Sequence, residues 1–239
     1  MYFSQSMKKL IVLFLLTTSI SQAQFGKSTF SKDPIINLEN FDKQRVYWGY
    51  FLGFSTFDFK TDYKVPGQDV NVKGNSGFNV GLVGALRLHE YVELRFEPGL
   101  YYASRTLTYP GFTNDRDAIR EVKATYIDFP LMLKFSSLRT GNVRPYLLGG
   151  VGATLNLSSN SKSKDDNSEQ KFRVQPWTNN YTFGFGIDLY FEYFKFSPSI
   201  RGVFGFGDEL IRDDDPNSPW TGNIESLKTR AVLINFTFH

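Results

Sequence analysis

The sequence contains no cysteine and only two histidines among its 239 residues. The absence of cysteine excludes disulfide bonds, thiol catalysis and cysteine-ligated metal sites. The histidines, His89 and His239, form no metal-binding cluster, and neither lies in a Ser/His/Asp arrangement. We therefore expect no enzymatic activity, no metal and no cofactor.

A strong charge bias is also lacking, because 27 basic residues face 24 acidic ones and the net charge is +3. This balance argues against a nucleic-acid partner. Mean hydropathy is −0.29, and beyond the N-terminus no apolar run is long enough for a transmembrane helix. A membrane protein with this composition would have to cross the bilayer with strands, in which only every second residue is apolar.

The N-terminus has the order of features found in a secretory signal peptide. Lys8 and Lys9 precede an apolar run over 10–20, and Ser21-Gln22-Ala23 resembles a cleavage site. We expect residues 1–23 to be a cleaved signal peptide, with Met1 or Met7 as the start. The alternative is a buried helix of a soluble protein. Residues 24–45 lack a strand pattern, contain a possible short helix over 37–43, and are expected to form a periplasmic N-terminal segment.

Aromatic residues are abundant, at 17% of the chain, and many alternate with polar ones. Residues 125–135 are typical: Ile127, Phe129, Leu131 and Leu133 share one face, while residues such as Asp128 share the other. Side chains alternate across a strand with period two, so this pattern predicts a strand with one apolar and one polar face.

The pattern recurs eight times and predicts strands over 46–60, 77–89, 91–108, 122–136, 143–157, 180–192, 194–207 and 227–239. Short connections (89–90, 136–142 and 192–193) alternate with long ones (61–76, 109–121, 158–179 and 208–226). An even strand number with short turns at one end and long loops at the other is typical of outer-membrane barrels. We predict an all-β fold in which residues 46–239 form an eight-stranded antiparallel transmembrane β-barrel with short periplasmic turns and long external loops, located in the outer membrane.

A soluble lipocalin-like barrel is the main alternative, since it alternates in the same way but points its large apolar residues inward. The polar face of this chain is also its glycine-rich face, and small residues suit a narrow eight-stranded lumen. The glycines concerned are Gly99, Gly150, Gly152, Gly184, Gly186, Gly205 and Gly207. We therefore expect the polar face to line the lumen and the apolar face to contact lipid.

The charged residues of the polar face are nearly balanced in sign. They are Arg87, Glu93, Arg95, Glu97, Asp128, Lys134, Arg144, Asp188, Glu192, Lys195 and Arg201. Because unpaired charges in a narrow lumen would be costly, we expect a structural charge network that closes the barrel. A proton or ion path is the alternative, whereas a lumen filled by side chains argues against a porin. On this view Phe185→Arg on the lipid face would impair folding more than Asp188→Asn in the lumen.

The external loops contain carboxylates but no histidine. The run Asp213-Asp214-Asp215 lacks the ligand spacing of a calcium loop, and we expect a solvated turn.

Two neighbouring segments carry a more specific similarity. ATYIDFPLMLKFSS (124–137) and RPYLLGGVGATLNL (144–157) resemble the outer-membrane barrel family named after PorT, as do the turn over 138–142 and the opening over 44–54. The resemblance implies an accessory role in the type IX secretion and gliding machinery of Bacteroidota. It also implies contact with outer-membrane lipid, with the barrel-assembly machinery during insertion and with other secretion-system proteins. An outer-membrane enzyme and a surface barrel that binds ligands through its external loops are the competing functions.

Overall fold

The computed structural model of the chain describes residues 35–65, 67 and 69–239. The predicted signal peptide and residues 24–34 of the predicted periplasmic segment lie outside the described residues. None of the helices in the described ranges is long and apolar enough to cross a membrane.

Ten strands follow one another along the described residues. They are β1 (Val46–Tyr63), β2 (Asn71–Gly74), β3 (Ser76–Arg87), β4 (Val92–Phe96), β5 (Gly99–Thr108), β6 (Ile119–Ser136), β7 (Val143–Asn156), β8 (Trp177–Tyr190), β9 (Lys195–Gly205) and β10 (Ile224–Phe238). The helical pieces are short: 3-10 turns at Phe41–Lys43 and Asn167–Glu169, and one α-helical turn, α1, at Asp115–Ala118.

The strands close into an antiparallel ring, because β1 pairs with β10 on one side and with β3 on the other. Two strands of the barrel are interrupted, so the ten segments form eight barrel strands, which are called staves below. β2 and β3 are separated at Asn75, whose backbone N–H still donates to Ser104 O at 3.0 Å. β4 and β5 are separated at Glu97-Pro98, where proline has no N–H to donate to the ladder. The prediction of an eight-stranded antiparallel barrel is confirmed.

Short and long connections alternate around the ring, as predicted. The β3–β4, β6–β7 and β8–β9 turns lie at one end, called the periplasmic end here, and the β1–β2, β5–β6, β7–β8 and β9–β10 connections lie at the external end. In the β6–β7 turn Gly141 has φ +60°, a left-handed conformation that glycine adopts without steric cost.

The outer wall is apolar on every stave. Exposed large residues on it include Leu52, Phe54, Phe78, Val80, Leu82, Leu131, Leu147, Val151, Phe183, Phe185, Ile200, Val232 and Ile234. The charged residues of the alternation are mostly buried inside. This arrangement is the reverse of a soluble lipocalin-like barrel and is the one expected of a wall that contacts lipid.

The interior is layered along the barrel axis rather than uniformly polar. Charged side chains fill the periplasmic half, and an apolar cluster around Phe51, Phe57, Tyr101 and Tyr126 follows it toward the external end. Gly186 shows why glycines face inward, since a Cβ there would lie 2.4 Å from the Tyr146 hydroxyl.

Candidate functional site: the barrel interior and its two mouths

Glu97 lies at the centre of the first group of lumenal charges. Arg95 Nε is 2.8 Å from Glu97 Oε1, and Arg201 Nη1 is 2.5 Å from Glu97 Oε2, with all three side chains buried. Ser199 Oγ accepts a further bond from Arg201 Nε at 3.1 Å. Glu97 points into the lumen like Glu93 and Arg95, because the alternation of side chains continues through the interruption between β4 and β5.

A second group lies nearer the periplasmic end and is built around Lys134. Its Nζ is 2.5 Å from Asp188 Oδ2 and 3.5 Å from Glu93 Oε2. Ser197 Oγ donates to Asp188 Oδ1 at 2.6 Å, and the Tyr47 hydroxyl donates to Glu93. Each carboxylate therefore has a cation and a hydroxyl donor, which is the pairing that a buried charge requires.

Lys195 is fully buried, and among the described residues its ammonium group lies against aromatic rings and forms no ion pair with a carboxylate. Its Nζ is 4.3 Å from the centroid of Tyr47 and 4.5 Å from that of Phe41. Phe41 belongs to the segment that precedes β1, so this cation–π contact joins that segment to the lumen.

Asp128 lies apart from both groups. Its Oδ1 accepts from Thr154 Oγ1 at 2.7 Å and from Asn180 Nδ2 at 3.0 Å, and it forms no ion pair with any described residue. It borders a cavity of about 30 Å³ that also touches Tyr101 and Glu209, room for about two water molecules. Side chains therefore occupy much of the described interior, as expected for a lumen of eight strands.

Asp42 closes the periplasmic mouth. It lies 3.6 Å from Arg144 and 3.7 Å from Arg139, and it accepts a hydrogen bond from the Tyr190 hydroxyl at 2.7 Å. The Arg139 guanidinium stacks over the Tyr190 ring at 3.6 Å and also donates to the backbone carbonyl of Asn37. Residues 37–45, called the mouth segment below, are therefore fastened to the barrel from both sides.

Of the eleven sequence-predicted lumenal charges, the structure buries nine and leaves Arg87 and Glu192 outside. Arg87 ends β3 and lies half-buried at the periplasmic rim. Glu192 lies exposed in the β8–β9 turn, beyond the last paired residue of β8. The alternation of each strand assigns both residues to the lumen-facing side. Each lies at or beyond the end of its strand, however, where the barrel no longer encloses the side chain.

Several buried polar residues are absent from the predicted set. Arg105 stacks over Phe59 at 3.9 Å and donates to the Tyr126 hydroxyl at 2.7 Å. Its position on the inward phase of β5, after Tyr101, was the signal that could have identified it. Asp42 gave no such signal, because it precedes the first strand.

The external mouth is covered by a second apolar core, the external layer, in which residues of the long connections pack against the external ends of β1, β5 and β10. It consists of Phe59, Leu107, Tyr109, Phe172, Val174, Leu210, Ile224 and Leu227. Burial raises the pKa of Glu209, which accepts from Thr229 Oγ1 at 2.7 Å, and burial also raises the pKa of the Tyr109 hydroxyl.

The expectation of a solvated turn at 213–215 is wrong for its first residue. Asp213 is buried and accepts hydrogen bonds from Asn167 Nδ2 at 2.8 Å, Ser218 Oγ at 2.5 Å and Thr221 Oγ1 at 2.9 Å. It joins the β7–β8 and β9–β10 connections, whereas Asp214 and Asp215 are exposed. Within the described part of the chain, no group of three or more acidic or histidine side chains is placed to hold a metal ion.

Comparison with known structures finds other small barrels. Neisserial surface protein A has a TM-score of 0.45 at 9% identity, covering 81% of this chain and 98% of that one. OprG from Pseudomonas aeruginosa has a TM-score of 0.41 at 16% identity, covering 80% and 94%. AlkL, solved by solid-state NMR in DMPC bilayers, has a TM-score of 0.42 at 12% identity, covering 87% and 93%.

None of the curated protein sequences matches the chain significantly. Residues 22–210, most of the chain, match the family model described as outer membrane protein beta-barrel domain. The match identifies this family and not the PorT family that residues 124–137 and 144–157 resemble. With a closed ring of strands, an apolar outer wall and this match, the chain belongs to the outer membrane protein beta-barrel domain family and lies in the outer membrane.

Proposed function

We propose that this protein is an accessory scaffold of a protein secretion system, specifically of type IX secretion and gliding. The observation that carries the proposal is the closed interior: paired charges fill the periplasmic half, and the mouth segment and the external layer cover the two ends. A barrel of this kind acts through the surfaces at its ends, because its lumen offers no route for cargo. The resemblance of residues 124–137 and 144–157 to the PorT family supplies the choice of secretion system.

The surfaces that would contact other secretion-system proteins are the N-terminal segment over 24–45 and the external connections. The mouth segment packs against the barrel, and we propose that residues 24–34, which lie outside the described residues, contact a periplasmic partner. The barrel-assembly machinery would act on the same chain once, during insertion. No catalytic role is proposed.

Deleting the gene and measuring export of type IX cargo tests the proposal. We expect export to be lost and to return with the wild-type gene. Complementation with a variant lacking 25–34, or lacking the exposed loop tip 161–165, is expected to fail although the barrel folds. The lumenal control Asp128→Asn is expected to restore export. Normal export in the deletion strain would overturn the proposal.

A second candidate function is ligand binding at the cell surface. It is favoured by a polar groove at the external end, bordered by residues 119–123 and by Ser158, Asn160 and residues 170–172, which flank the loop tip 161–165. If this candidate is correct, the deletion of 161–165 removes adhesion or ligand binding by whole cells and leaves cargo export unchanged.

A further inference from the structure

A groove at the periplasmic rim combines cationic and apolar side chains. It runs between the mouth segment and the β3–β4 turn and is lined by Lys43, Arg45, Leu86, Arg87 and Leu88. The backbone N–H of Arg87 donates to Arg45 O at 2.8 Å, so the two arginines lie side by side at the ends of neighbouring strands. Leu88 is exposed, and Leu86 pairs with the exposed Val46 on the outer wall.

The cations of this groove have no counter-ion among the described residues. Lys43 Nζ donates to the neutral Asn40 side chain at 2.9 Å, and neither Arg45 nor Arg87 forms an ion pair within the described ranges. Of the described residues that line the groove, Glu90 is the one carboxylate, and it is exposed. The other rim arginines differ in this respect, since Arg139 and Arg144 both lie against Asp42.

The depth of the groove in the membrane follows from a tryptophan beside it. Trp48 is 75% exposed on the outer wall, and its ring lies 2.8 Å from where a Cβ of Gly84 would be. Exposed tryptophans on a membrane wall lie at the level of the lipid headgroups. The cationic end of the groove, just beyond Trp48, therefore lies where phosphates of the periplasmic leaflet are found.

We propose that this groove binds an anionic glycerophospholipid of the periplasmic leaflet. Lys43, Arg45 and Arg87 hold its phosphate, and an acyl chain runs from the groove past Leu86 along the outer wall. Arginine guanidinium groups match phosphate geometry with paired N–H donors, and clustered cations at a membrane surface select anionic lipids. Continuity with the lipid-facing wall identifies the ligand as a membrane lipid instead of a soluble phosphate. The site is independent of the proposed role in secretion.

Fluorescence quenching of Trp48 tests the proposal on the full mature chain. A reporter form with Trp177→Phe and Trp220→Phe leaves Trp48 as the single tryptophan. It is refolded into bilayers that contain brominated phosphatidylglycerol or brominated phosphatidylcholine at equal fractions. We expect phosphatidylglycerol to be preferred at Trp48 by at least about fivefold, the effect of about one cation near a membrane surface. Arg45→Gln with Arg87→Gln, which leaves Lys43 as the one proposed phosphate ligand, is expected to lower the preference.

The matched control is Lys162→Gln with Lys164→Gln, which makes the same charge change at exposed positions of the external end. It is expected to keep the preference. Native mass spectrometry of protein with all its tryptophans gives a second readout: the wild type and the control retain phosphatidylglycerol, and the double arginine variant retains less of it. Equal quenching by both lipids in the reporter form, an unchanged preference without the arginines, or displacement of the lipid by inorganic phosphate would each overturn the proposal.

Discussion

The side chain of Asp188 is fully buried between Lys134 and Ser197, and it shows what decides the cost of a lumenal substitution. Strand alternation predicts that it faces inward. It does not identify the partner, because Lys134 lies 54 positions away in sequence and the two meet only through the registers of β6, β7 and β8. The same holds for Glu97 and Arg201, which are 104 positions apart.

This ion pair changes the expectation from the sequence about which of two substitutions destabilises the barrel more. Phe185→Arg places a charge on the lipid-facing wall and costs about 2–4 kcal/mol. Asp188→Asn leaves Lys134 buried with Glu93 at 3.5 Å as its remaining carboxylate, and breaking a buried pair costs about 3–5 kcal/mol. We therefore expect the lumenal substitution to be at least as damaging in an unfolding titration in lipid vesicles.

A triple variant separates the cost of a broken ion pair from the cost of a changed side-chain shape. Asp188→Asn with Lys134→Met and Glu93→Gln removes all three charges of this group, so its free energy of unfolding is expected to lie above that of Asp188→Asn alone. If Asp188→Asn is nearly neutral, the ion pair contributes little and the original expectation from the sequence holds.

Glu209 predicts a pH dependence in the external layer. Because burial raises its pKa above the usual value near 4.5, the folded state binds its proton more tightly than the unfolded state does. Stability from this residue is greatest below about pH 4.5 and falls as the pH rises through the folded-state pKa. Glu209→Gln is expected to stabilise the fold at neutral pH relative to acid, measured by unfolding titrations at both. Glu169→Gln, an exposed carboxylate in the same layer, is the control.

At the scale of elements, every strand of the barrel is predicted from the sequence, but several predicted strands are too short at the external end. β1 continues to Tyr63 and the second stave begins at Asn71, inside the connection predicted over 61–76. The alternation between apolar and polar residues weakens there, because a strand that extends beyond the bilayer has no lipid-facing side to keep apolar. The ladder nevertheless continues, from Lys60 paired with Lys228 to Tyr63 paired with Ile224.

The mouth segment is the element that sequence patterns predict least, since its order depends on contacts rather than periodicity. The carboxylate of Asp42 attaches the 3-10 turn at Phe41–Lys43 to Tyr190 and Arg144 of the barrel. Asp42→Ala removes these contacts, and hydrogen bonds to a charged group contribute about 1.5–3 kcal/mol. We expect the backbone amides of Phe41, Lys43 and Gln44 to exchange hydrogen at least about tenfold faster. Amides of β1 are expected to be unchanged, and Glu39→Ala, an exposed neighbour, is the control. Equal exchange in both variants would show that apolar contacts such as Phe41 against Tyr47 hold the segment instead.

At the scale of the whole molecule, a barrel of eight strands has an interior narrow enough for side chains to fill. These side chains are arranged in layers along the barrel axis. Charges lie toward the periplasmic end, aromatic and aliphatic groups lie beyond them, and the external layer closes the far end. The sequence predicts the closed barrel and the balance of lumenal charge, because both depend on local alternation and composition. The apolar middle layer was not predicted, since Phe51 and Phe57 lie on the polar phase of a strand that is aromatic on both faces.

The orientation of the whole barrel gives the last prediction, and the absence of cysteine makes it simple to test. Asp165 is exposed in the β7–β8 connection and Glu192 is exposed in the β8–β9 turn, at opposite ends of the same strand. Long connections of outer-membrane barrels face outward and short turns face the periplasm. A membrane-impermeant maleimide is therefore expected to label Asp165→Cys in intact cells, and to label Glu192→Cys only after the outer membrane is permeabilised. Labelling of Glu192→Cys in intact cells would show that the barrel has the opposite orientation. The mouth segment and the proposed phospholipid groove would then lie at the cell surface, where neither a periplasmic partner nor a lipid of the periplasmic leaflet could reach them.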